Sequence, residues 1–269
     1  MMLWPTISAP QTSMPQTTIY VSPRSLGAHD SRPPAVVTTD LARLFAGNAA
    51  LAGVSLRVDA GGVIALLGAN GAGKTTLLRV LATAIRPSYG RAQVDGFDID
   101  RDADIVRGRV AYLSHATGLY DDLTARENLR FAAAMLGTPD AAQRVERALF
   151  DVGLSDRAAD PVRGFSAGMR KRLALGRILL GNASLVLLDE PYAALDADGL
   201  SLVDQLLVAW REVGVTVLVA SHAADRLEPF LDGRVLLARG LVAGVEGQGV
   251  TSFPPSLPVA RGSLTGVSP

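Results

Sequence analysis

The residues with the clearest chemical potential in this chain form a glycine-rich loop that ends in lysine. The segment from Gly68 to Thr75 reads G-A-N-G-A-G-K-T, which fits the pattern G-x-x-x-x-G-K-[ST], and it directly follows the apolar run Val63–Leu67. Lys74 is one of only two lysines among 26 basic residues. A chain that otherwise uses arginine therefore has a compact ammonium group at the end of this loop. Loops of this kind hold nucleotide phosphates with backbone amides and the lysine. The pattern therefore predicts binding and hydrolysis of a nucleoside triphosphate. The predicted binding residues are Gly68, Asn70, Gly71, Ala72, Gly73, Lys74, Thr75 and Thr76.

Two adjacent carboxylates form a second candidate group. Asp189 and Glu190 end an apolar strand pattern that begins at Ser184, roughly 115 residues after Lys74. Side-chain alternation in a strand predicts that they point to opposite sides and do different work. Asp189 suits an outer ligand of phosphate-bound Mg²⁺, with the Thr75 hydroxyl as a direct ligand, and Glu190 suits a group that orients or deprotonates the attacking water.

Composition limits the remaining possibilities. The chain has 269 residues, 48% of them hydrophobic, which is ample for a buried core. Its 26 basic and 26 acidic residues balance, so no bulk charge indicates a nucleic-acid partner. The absence of cysteine excludes disulfides, thiolate metal sites and a cysteine nucleophile. No apolar stretch reaches 18 residues, so the sequence predicts no membrane span, and an uncharged N-terminal segment broken by Pro5, Pro10, Pro15 and Pro23 does not read as a secretion signal.

The chain divides into a central domain and two polar tails. Residues 1–35 and 247–269 are rich in Pro, Ser, Thr or Gly without apolar periodicity, and we expect disordered tails there. Residues 36–246 alternate short β-rich runs with helical patterns, which is typical of an α/β domain. Helical patterns dominate residues 118–165, and we interpret that segment as a helical insertion.

Several element positions follow from the apolar patterns. The predicted strands are 54–58, 63–67, 110–113, 184–188 and 216–220, the last three as buried parallel strands. The predicted helices include 123–136, 141–152 and a helix after the phosphate loop with Leu77, Leu78, Leu81 and Ile85 on one face. That helix would direct its free N-terminal amides at the nucleotide.

Three further motifs give the chain a family resemblance. Phe165-Ser-Ala-Gly-Met169 opens a helix and by itself would fit an ordinary helix cap. Ala193-Ala-Leu-Asp196 follows the two carboxylates, and Ser221-His222 follows a further strand. In this order, throughout residues 38–245, the motifs resemble those of the ATP-binding cassette ATPases. The resemblance implies a P-loop NTPase fold of that type, with a RecA-like mixed or parallel sheet, an antiparallel β subdomain and a helical subdomain.

The resemblance also implies roles for single residues, with ATP and Mg²⁺ bound. Two cassettes of the family meet head to tail, so Ser166 and Gly168 are expected to contact the γ-phosphate of ATP bound to the other subunit. His222 resembles the switch histidine that contacts the γ-phosphate and holds Glu190 and the water in line. Asp196 resembles the aspartate that joins the two sites. Phe45 matches the aromatic residue that stacks on adenine, although a core phenylalanine would also fit.

One position departs from the usual family pattern. Tyr112-Leu-Ser-His115 has histidine where most cassettes have a glutamine that touches Mg²⁺ and water. Neutral imidazole can accept a hydrogen bond from water or bind a metal, whereas an imidazolium would place positive charge beside Mg²⁺. The hypothesis is that activity falls at mildly acid pH and that His115→Gln reduces this loss. An unchanged pH profile in that variant would count against it.

The segments 118–130 and 161–169, together with His115, resemble those of the ATP-binding subunits of haem exporters in cytochrome c maturation. Such proteins are peripheral ATPases on the cytoplasmic face of the inner membrane, as homodimers or paired cassettes, with separate integral membrane subunits. The resemblance implies the same arrangement here, with no direct contact to haem and no nucleic acid. Drug, lipid or polysaccharide exporters are the alternative. Soluble cassette ATPases of DNA repair or translation fit less well, because repair members carry long coiled-coil insertions and translation members carry two cassettes.

Overall fold

The fold consists of two β-sheets with helices packed around them. The computed structural model describes Ile19, residues 32–222 and residues 224–254. One sheet has five strands in the order β11-β2-β1-β4-β5, and its neighbouring strands pair antiparallel. The other has six strands in the order β10-β9-β3-β8-β7-β6, of which only β10 runs antiparallel to its neighbour. The strands are β1 Val36–Phe45, β2 Asn48–Val58, β3 Val63–Leu67, β4 Tyr89–Val94, β5 Phe97–Asp98, β6 Val110–Leu113, β7 Leu185–Asp189, β8 Thr216–Ala220, β9 Gly233–Ala238, β10 Leu241–Gly247 and β11 Val250–Ser252.

The helices connect these strands and supply a separate helical region. They are α1 Lys74–Leu81, α2 Ala103–Arg107, α3 Ala125–Met135, α4 Ala141–Asp151, α5 Ala167–Leu179, α6 Ala197–Glu212 and α7 Ala224–Leu227, with short 3₁₀ turns at Ser155–Arg157, Val162–Gly164 and Glu228–Phe230. Helices α3 and α4 occupy the segment predicted as a helical insertion. Thr124 begins α3 with a capping box, in which its hydroxyl accepts from the Glu127 amide and the Glu127 carboxylate accepts from the Thr124 amide. This explains why α3 begins two residues after the start expected from apolar periodicity alone.

Most predicted strands are confirmed, with two corrections. The strands 63–67, 110–113 and 216–220 have the predicted limits, and the strand predicted from Ser184 is observed as Leu185–Asp189. The last three predicted strands pair in parallel as expected. The prediction that all three are buried is wrong for β6, in which only Leu113 is fully buried, because β6 is the edge strand. The strand predicted at 54–58 begins at Asn48, since it continues from a tight turn after β1.

Helix α1 lies between the two sheets. Its residues Leu77, Leu78 and Leu81 are fully buried, in one apolar cluster with Leu56 of the antiparallel sheet and Leu187 of the parallel sheet. This confirms the predicted apolar face, although the helix ends at Leu81 and does not include Ile85. Packing on both sides fixes the direction of α1, and therefore the place to which its N-terminus points.

The C-terminal boundary differs from the one expected. The boundary at residue 247 precedes a further strand, β11, which pairs with β2 as the outermost strand of that sheet and places Val250 in the core. Unpaired backbone groups at a sheet edge favour such an addition, and the short strand has little apolar periodicity of its own. Most of the expected N-terminal tail, and residues 255–269, lie outside the described residues. Among the helices that the structure describes, none is long and apolar enough to cross a membrane.

Candidate functional site

The phosphate loop connects β3 to α1 with a backbone that only glycine fits well. Gly68 and Gly73 have φ values of 142° and 107°. A Cβ atom at Gly68 would lie 2.2 Å from the Leu237 carbonyl oxygen, and one at Gly73 would lie 2.6 Å from the Ala50 carbonyl oxygen. The loop therefore passes so close to neighbouring backbone that side chains are excluded at both positions. Its conformation is held from outside, by β9 and β2.

Helix α1 begins within this loop and has no side-chain cap. Gly73 is its N-cap residue, and no acidic side chain lies in its first turn. The free amides of the first turn, together with the helix dipole, favour an anion at this end. The Lys74 ammonium donates to the Gly68 and Ala69 carbonyl oxygens, at 2.6 and 3.1 Å, so it is folded back over the loop.

Three neighbouring parallel strands end at this loop. In the sheet, β8 lies between β3 and β7, so the loop after β3, Asp189 at the end of β7, and the Ser221-His222 segment after β8 share one edge. Ligands of open α/β sheets bind at the carboxyl ends of their strands. The Thr75 hydroxyl donates to the Asp189 carboxylate at 3.0 Å, which joins the phosphate loop directly to β7.

Asp189 is buried, and several neighbouring groups act on the pKa of its carboxyl group. Burial raises the pKa of Asp189, and the negative charge of Glu190 raises it further. The hydrogen bond from Thr75 and positive charges at Lys171 and His115 act in the opposite direction but do not offset burial. The carboxyl group is therefore placed where added positive charge would stabilise its ionised form.

The donor set beside Thr75 fits a magnesium ion. Among the described residues, the Asp189 Oδ2 atom is buried without a hydrogen-bond partner, while its Oδ1 atom accepts from Thr75. A hydroxyl and a carboxylate oxygen are hard ligands of the kind that Mg²⁺ takes when phosphate oxygens and water complete its shell. The free acceptor thus lies where the predicted ion would need it.

Glu190 has left the strand and adopts an unusual backbone conformation. Strand β7 ends at Asp189, and Glu190 has a φ of 49°, a left-handed conformation that costs a non-glycine residue about 1–2 kcal/mol. Strand alternation, from which we predicted the separation of the two carboxylates, therefore does not apply to Glu190. They still have different partners, because the Glu190 amide donates to the Ala220 carbonyl oxygen and its side chain faces the end of β8.

The Glu190 carboxylate is held by the segment that follows β8. Its Oε2 atom accepts from the His222 backbone amide at 3.2 Å and from the Ser221 hydroxyl at 3.4 Å. Its Oε1 atom lies 3.5 Å from the His222 Nε2 atom. The structure thus brings together the predicted base and the predicted switch histidine, and it adds Ser221, to which we had assigned no role.

The Phe165–Met169 motif, whose Ser166 and Gly168 we expect to contact phosphate, lies at the start of α5. The Ser166 hydroxyl accepts from the Met169 amide at 3.2 Å and caps α5, which is the ordinary role that we considered for this motif. Ser166 is nevertheless exposed, which is compatible with a contact outside the chain. A Cβ atom at Gly168 would lie 2.9 Å from the Ala194 carbonyl oxygen, so glycine is also needed here for packing.

Asp196 begins helix α6. Its carboxylate accepts from the Gly199 amide at 3.0 Å, and its other oxygen lies 3.8 Å from the Arg172 guanidinium on α5. The residue is more than half exposed, which is compatible with a contact outside the chain. The segment between Glu190 and Asp196 thus packs on the α5 helix through Gly168 at one point and Arg172 at another.

Phe45 and His115 are both exposed. Phe45 ends β1 with 42% of its surface exposed, and the Arg43 guanidinium lies 4.7 Å from its ring centre. An exposed ring excludes the core role that we kept as an alternative for it. His115 is also exposed, and it lies near enough to lower the pKa of Asp189 when charged.

Two residues beside Asp189 had no predicted role. Burial, the charge of Asp189 and the approach of the Tyr112 hydroxyl to its carboxylate raise the pKa of Tyr112 to about 12, although that buried hydroxyl makes no hydrogen bond of normal geometry within the described part of the chain. The Lys171 ammonium donates to the Asp189 carbonyl oxygen at 3.4 Å. Burial lowers the pKa of Lys171, while Asp189 and Glu190 act to raise it. The composition held a signal for Lys171, since it is the second of the two lysines.

Comparisons with known proteins agree with this fold. Residues 51–193 match the ABC transporter family model. The chain is 45% identical over 177 residues to the cytochrome c biogenesis ATP-binding export protein CcmA of Xanthomonas oryzae pv. oryzae, covering 65% of this chain and 81% of that protein. A solved structure of cbiO1 from Clostridium perfringens, part of the ABC transporter complex cbiONQ, is 26% identical with a TM-score of 0.67, and the match covers 80% of this chain and 88% of that one.

A second solved structure bears on the fold alone. The dimeric, post-hydrolysis state of the ATP-binding cassette MJ0796 has a TM-score of 0.72 at 24% identity, over 79% of this chain and 98% of that one. The match to the family model covers more than half of the chain, and the fold and the phosphate loop agree with it. The chain therefore belongs to the ABC transporter family, as an ATP-binding ATPase similar to CcmA.

Proposed function

We propose that this ATPase is the motor subunit of the haem exporter of cytochrome c maturation. The observation that carries the proposal is the pairing of Glu190 with the Ser221-His222 segment beside the phosphate loop, in a chain 45% identical to a CcmA protein. The first part supports ATP hydrolysis by this chain. The second supports the transport process in which the energy is used.

The proposed reaction is attack of water on the γ-phosphoryl group of ATP. Glu190 accepts a proton from the water while the water oxygen bonds to the γ-phosphorus. The bond between that phosphorus and the oxygen bridging the β- and γ-phosphates breaks, which gives ADP and phosphate. His222, which already contacts Glu190, holds the γ-phosphate and the carboxylate in line. Thr75 and Asp189 would hold Mg²⁺, which when bound neutralises developing phosphate charge. Lys74 must leave the Gly68 and Ala69 carbonyl oxygens to reach the phosphates.

The remaining half of each site would come from a second copy of the chain. Ser166 is exposed and lies at the start of α5, where free amides and the hydroxyl can meet an anion. In a head-to-tail dimer, Ser166 and Gly168 would contact the γ-phosphate on the partner, with Asp196 at the junction and Phe45 stacking on adenine.

A groove beside the site is the proposed contact for the membrane subunit. It has a volume of about 540 Å³ and runs between β6 and the helices α3 and α5. Its wall includes the exposed apolar side chains of Phe131, Met135 and Leu136, and it reaches Tyr112 beside Asp189. A helix of the membrane subunit seated there would contact the same strand that ends near the site. A peripheral location on the cytoplasmic face of the inner membrane is part of the same proposal.

Capture from membranes tests the proposal. The full chain with Glu190→Gln, purified from solubilised membranes with ATP and Mg²⁺, should retain its partners in the closed state. Recovery of a multispanning membrane protein with haem-handling partners would support haem export. A permease of drug, lipid or polysaccharide transport in its place would refute haem export and retain the motor, and soluble partners alone would refute both.

A surface variant tests the groove separately. Met135→Glu in the groove should abolish recovery of the membrane partner while ATP hydrolysis continues. Phe150→Glu is the matched control, because Phe150 is a similarly exposed apolar residue on α4 and does not line the groove. Equal recovery with both variants would refute this docking site.

A further inference from the structure

A polar network connects the chain segment after Glu190 to the one after His222. The Tyr192 hydroxyl donates to the Asp204 Oδ1 atom at 2.8 Å. The Arg226 guanidinium donates to both oxygens of the same carboxylate, at 3.2 Å from Nε and 2.5 Å from Nη2. The guanidinium carbon also lies 5.4 Å from the centre of the Tyr192 ring. Four contacts thus join three side chains from separate segments.

The positions of these residues along the chain relate the network to the site. Tyr192 comes two residues after Glu190, and Arg226 comes four residues after His222. Asp204 lies on α6, the helix that begins at Asp196. Within the described part of the chain, the hydrogen bonds and ring contacts of these three side chains do not involve the phosphate loop. Tyr192 and Arg226 thus follow closely in sequence after Glu190 and His222, the residues proposed to act on the nucleotide.

The network has the strength and rigidity that a positioning role requires. A bidentate pair between a guanidinium and a carboxylate fixes both position and orientation. Tyr192 is only 7% exposed and packs in the apolar cluster with Leu202 and Val203 of α6. Burial and the hydrogen bond to Asp204 raise the pKa of Tyr192, so its hydroxyl stays protonated and keeps donating. The anchor on the Glu190 side therefore cannot move without disturbing the core.

The backbone conformation at the site explains why an anchor is needed. Glu190 has a positive φ, and strained residues persist only where the surrounding structure holds them. On the other side, His222 is more than half exposed, and the α7 helix that follows it is only four residues long. The contacts of Arg226 tie the second segment to the first.

We propose that Arg226, Asp204 and Tyr192 are positioning residues that set the distance between His222 and Glu190 for ATP hydrolysis. The inference rests on the roles proposed above for Glu190 and His222, and it is independent of the transported substrate. Arg226 acts through Asp204, which Tyr192 holds in place. The network places the histidine without touching the nucleotide.

Steady-state hydrolysis by the full chain is the first test. Arg226→Ala should lower kcat roughly tenfold, because small displacements of reacting groups reduce rates strongly, and should leave KM for ATP and the unfolding midpoint nearly unchanged. Arg126→Ala is the matched control, since Arg126 makes a similar bidentate pair with Glu146 between α3 and α4. The control should change kcat by less than about twofold. Equal kcat in both variants would overturn the proposal.

Two further variants separate positioning from general stability. Tyr192→Phe keeps the buried ring and removes only the hydroxyl, so it should lower kcat in a folded protein even if Arg226→Ala unfolds. Adding Arg226→Ala to His222→Ala should cause no further loss in single-turnover hydrolysis, because the network acts through the histidine. A full additional loss there would refute the proposal.

The same series distinguishes this inference from the proposed roles of the site residues. If Glu190→Gln and His222→Ala retain full turnover, the roles assigned to them are wrong. If both lose turnover and Arg226→Ala does not, only the positioning network is refuted.

Discussion

The region around Asp189 and the region around Ser166 are built in opposite ways. Thr75, Asp189, Glu190 and His222 meet within one chain because three adjacent parallel strands end at the same edge. The Ser166 hydroxyl instead contacts its own helix and remains exposed. The first region has contacts that orient its groups, whereas the second presents its groups outward. The residues proposed for hydrolysis are therefore joined by contacts within one chain, whereas the described contact of the Ser166 hydroxyl is with its own helix.

Glu190→Gln tests the hydrolytic half most strongly. The change keeps the contacts with the Ser221-His222 segment and removes the base, so kcat should fall at least about a hundredfold while ATP still binds. Glu212→Gln at the end of α6 is the control and should hydrolyse ATP normally. Steady-state phosphate release measures both. Full-rate hydrolysis by Glu190→Gln would show that another group is the base.

Gly168→Ala tests the connection between the two regions. The added methyl would press on the Ala194 carbonyl oxygen in the segment that joins Glu190 to Asp196, so the free energy of unfolding should fall by about 1–3 kcal/mol and hydrolysis should fall with it. Gly164→Ala is the control, because no atom lies within 4 Å of its added Cβ. Thermal unfolding together with phosphate release measures this. Equal behaviour of the two variants would contradict the packing argument.

Ser166→Ala separates helix capping from phosphate contact. Loss of the cap should cost about 1 kcal/mol of stability. Thr124→Ala removes a cap of the same kind from α3 and should cost a similar amount. If Ser166 also contacts the partner's ATP, only Ser166→Ala should lower hydrolysis, by roughly tenfold. The same loss of hydrolysis in both variants would show that Ser166 acts only as a helix cap.

Tyr112→Phe should have the smallest effect. Its hydroxyl is buried beside Asp189 without a partner in the described structure, so its removal should change the free energy of unfolding by less than about 1 kcal/mol. Hydrolysis should stay within about threefold, since the free Asp189 oxygen is retained. Chemical denaturation and phosphate release measure these. A large loss of hydrolysis would place Tyr112 among the groups that act on the ion or its water.

Sequence patterns predicted the parts of the fold that are locally regular. The phosphate loop, β3 and β8 have their predicted limits because glycine spacing and apolar runs report local backbone geometry. The edge position of β6, the added strand β11 and the left-handed backbone at Glu190 were not predicted. Each depends on which segment lies alongside, and that information is spread over distant parts of the chain.

The sequence by itself determined which chemical groups this ATPase has and their order along the chain. The glycines that permit the loop, the lysine, the two carboxylates and the histidine can all be identified without a structure. Only the tertiary structure decided that Ser221 and His222 hold Glu190, that Lys171 and Tyr112 flank Asp189, and that Arg226 reaches Tyr192 through Asp204. These contacts join residues far apart in sequence, and they form because the order of strands in the sheet brings the ends of those strands together.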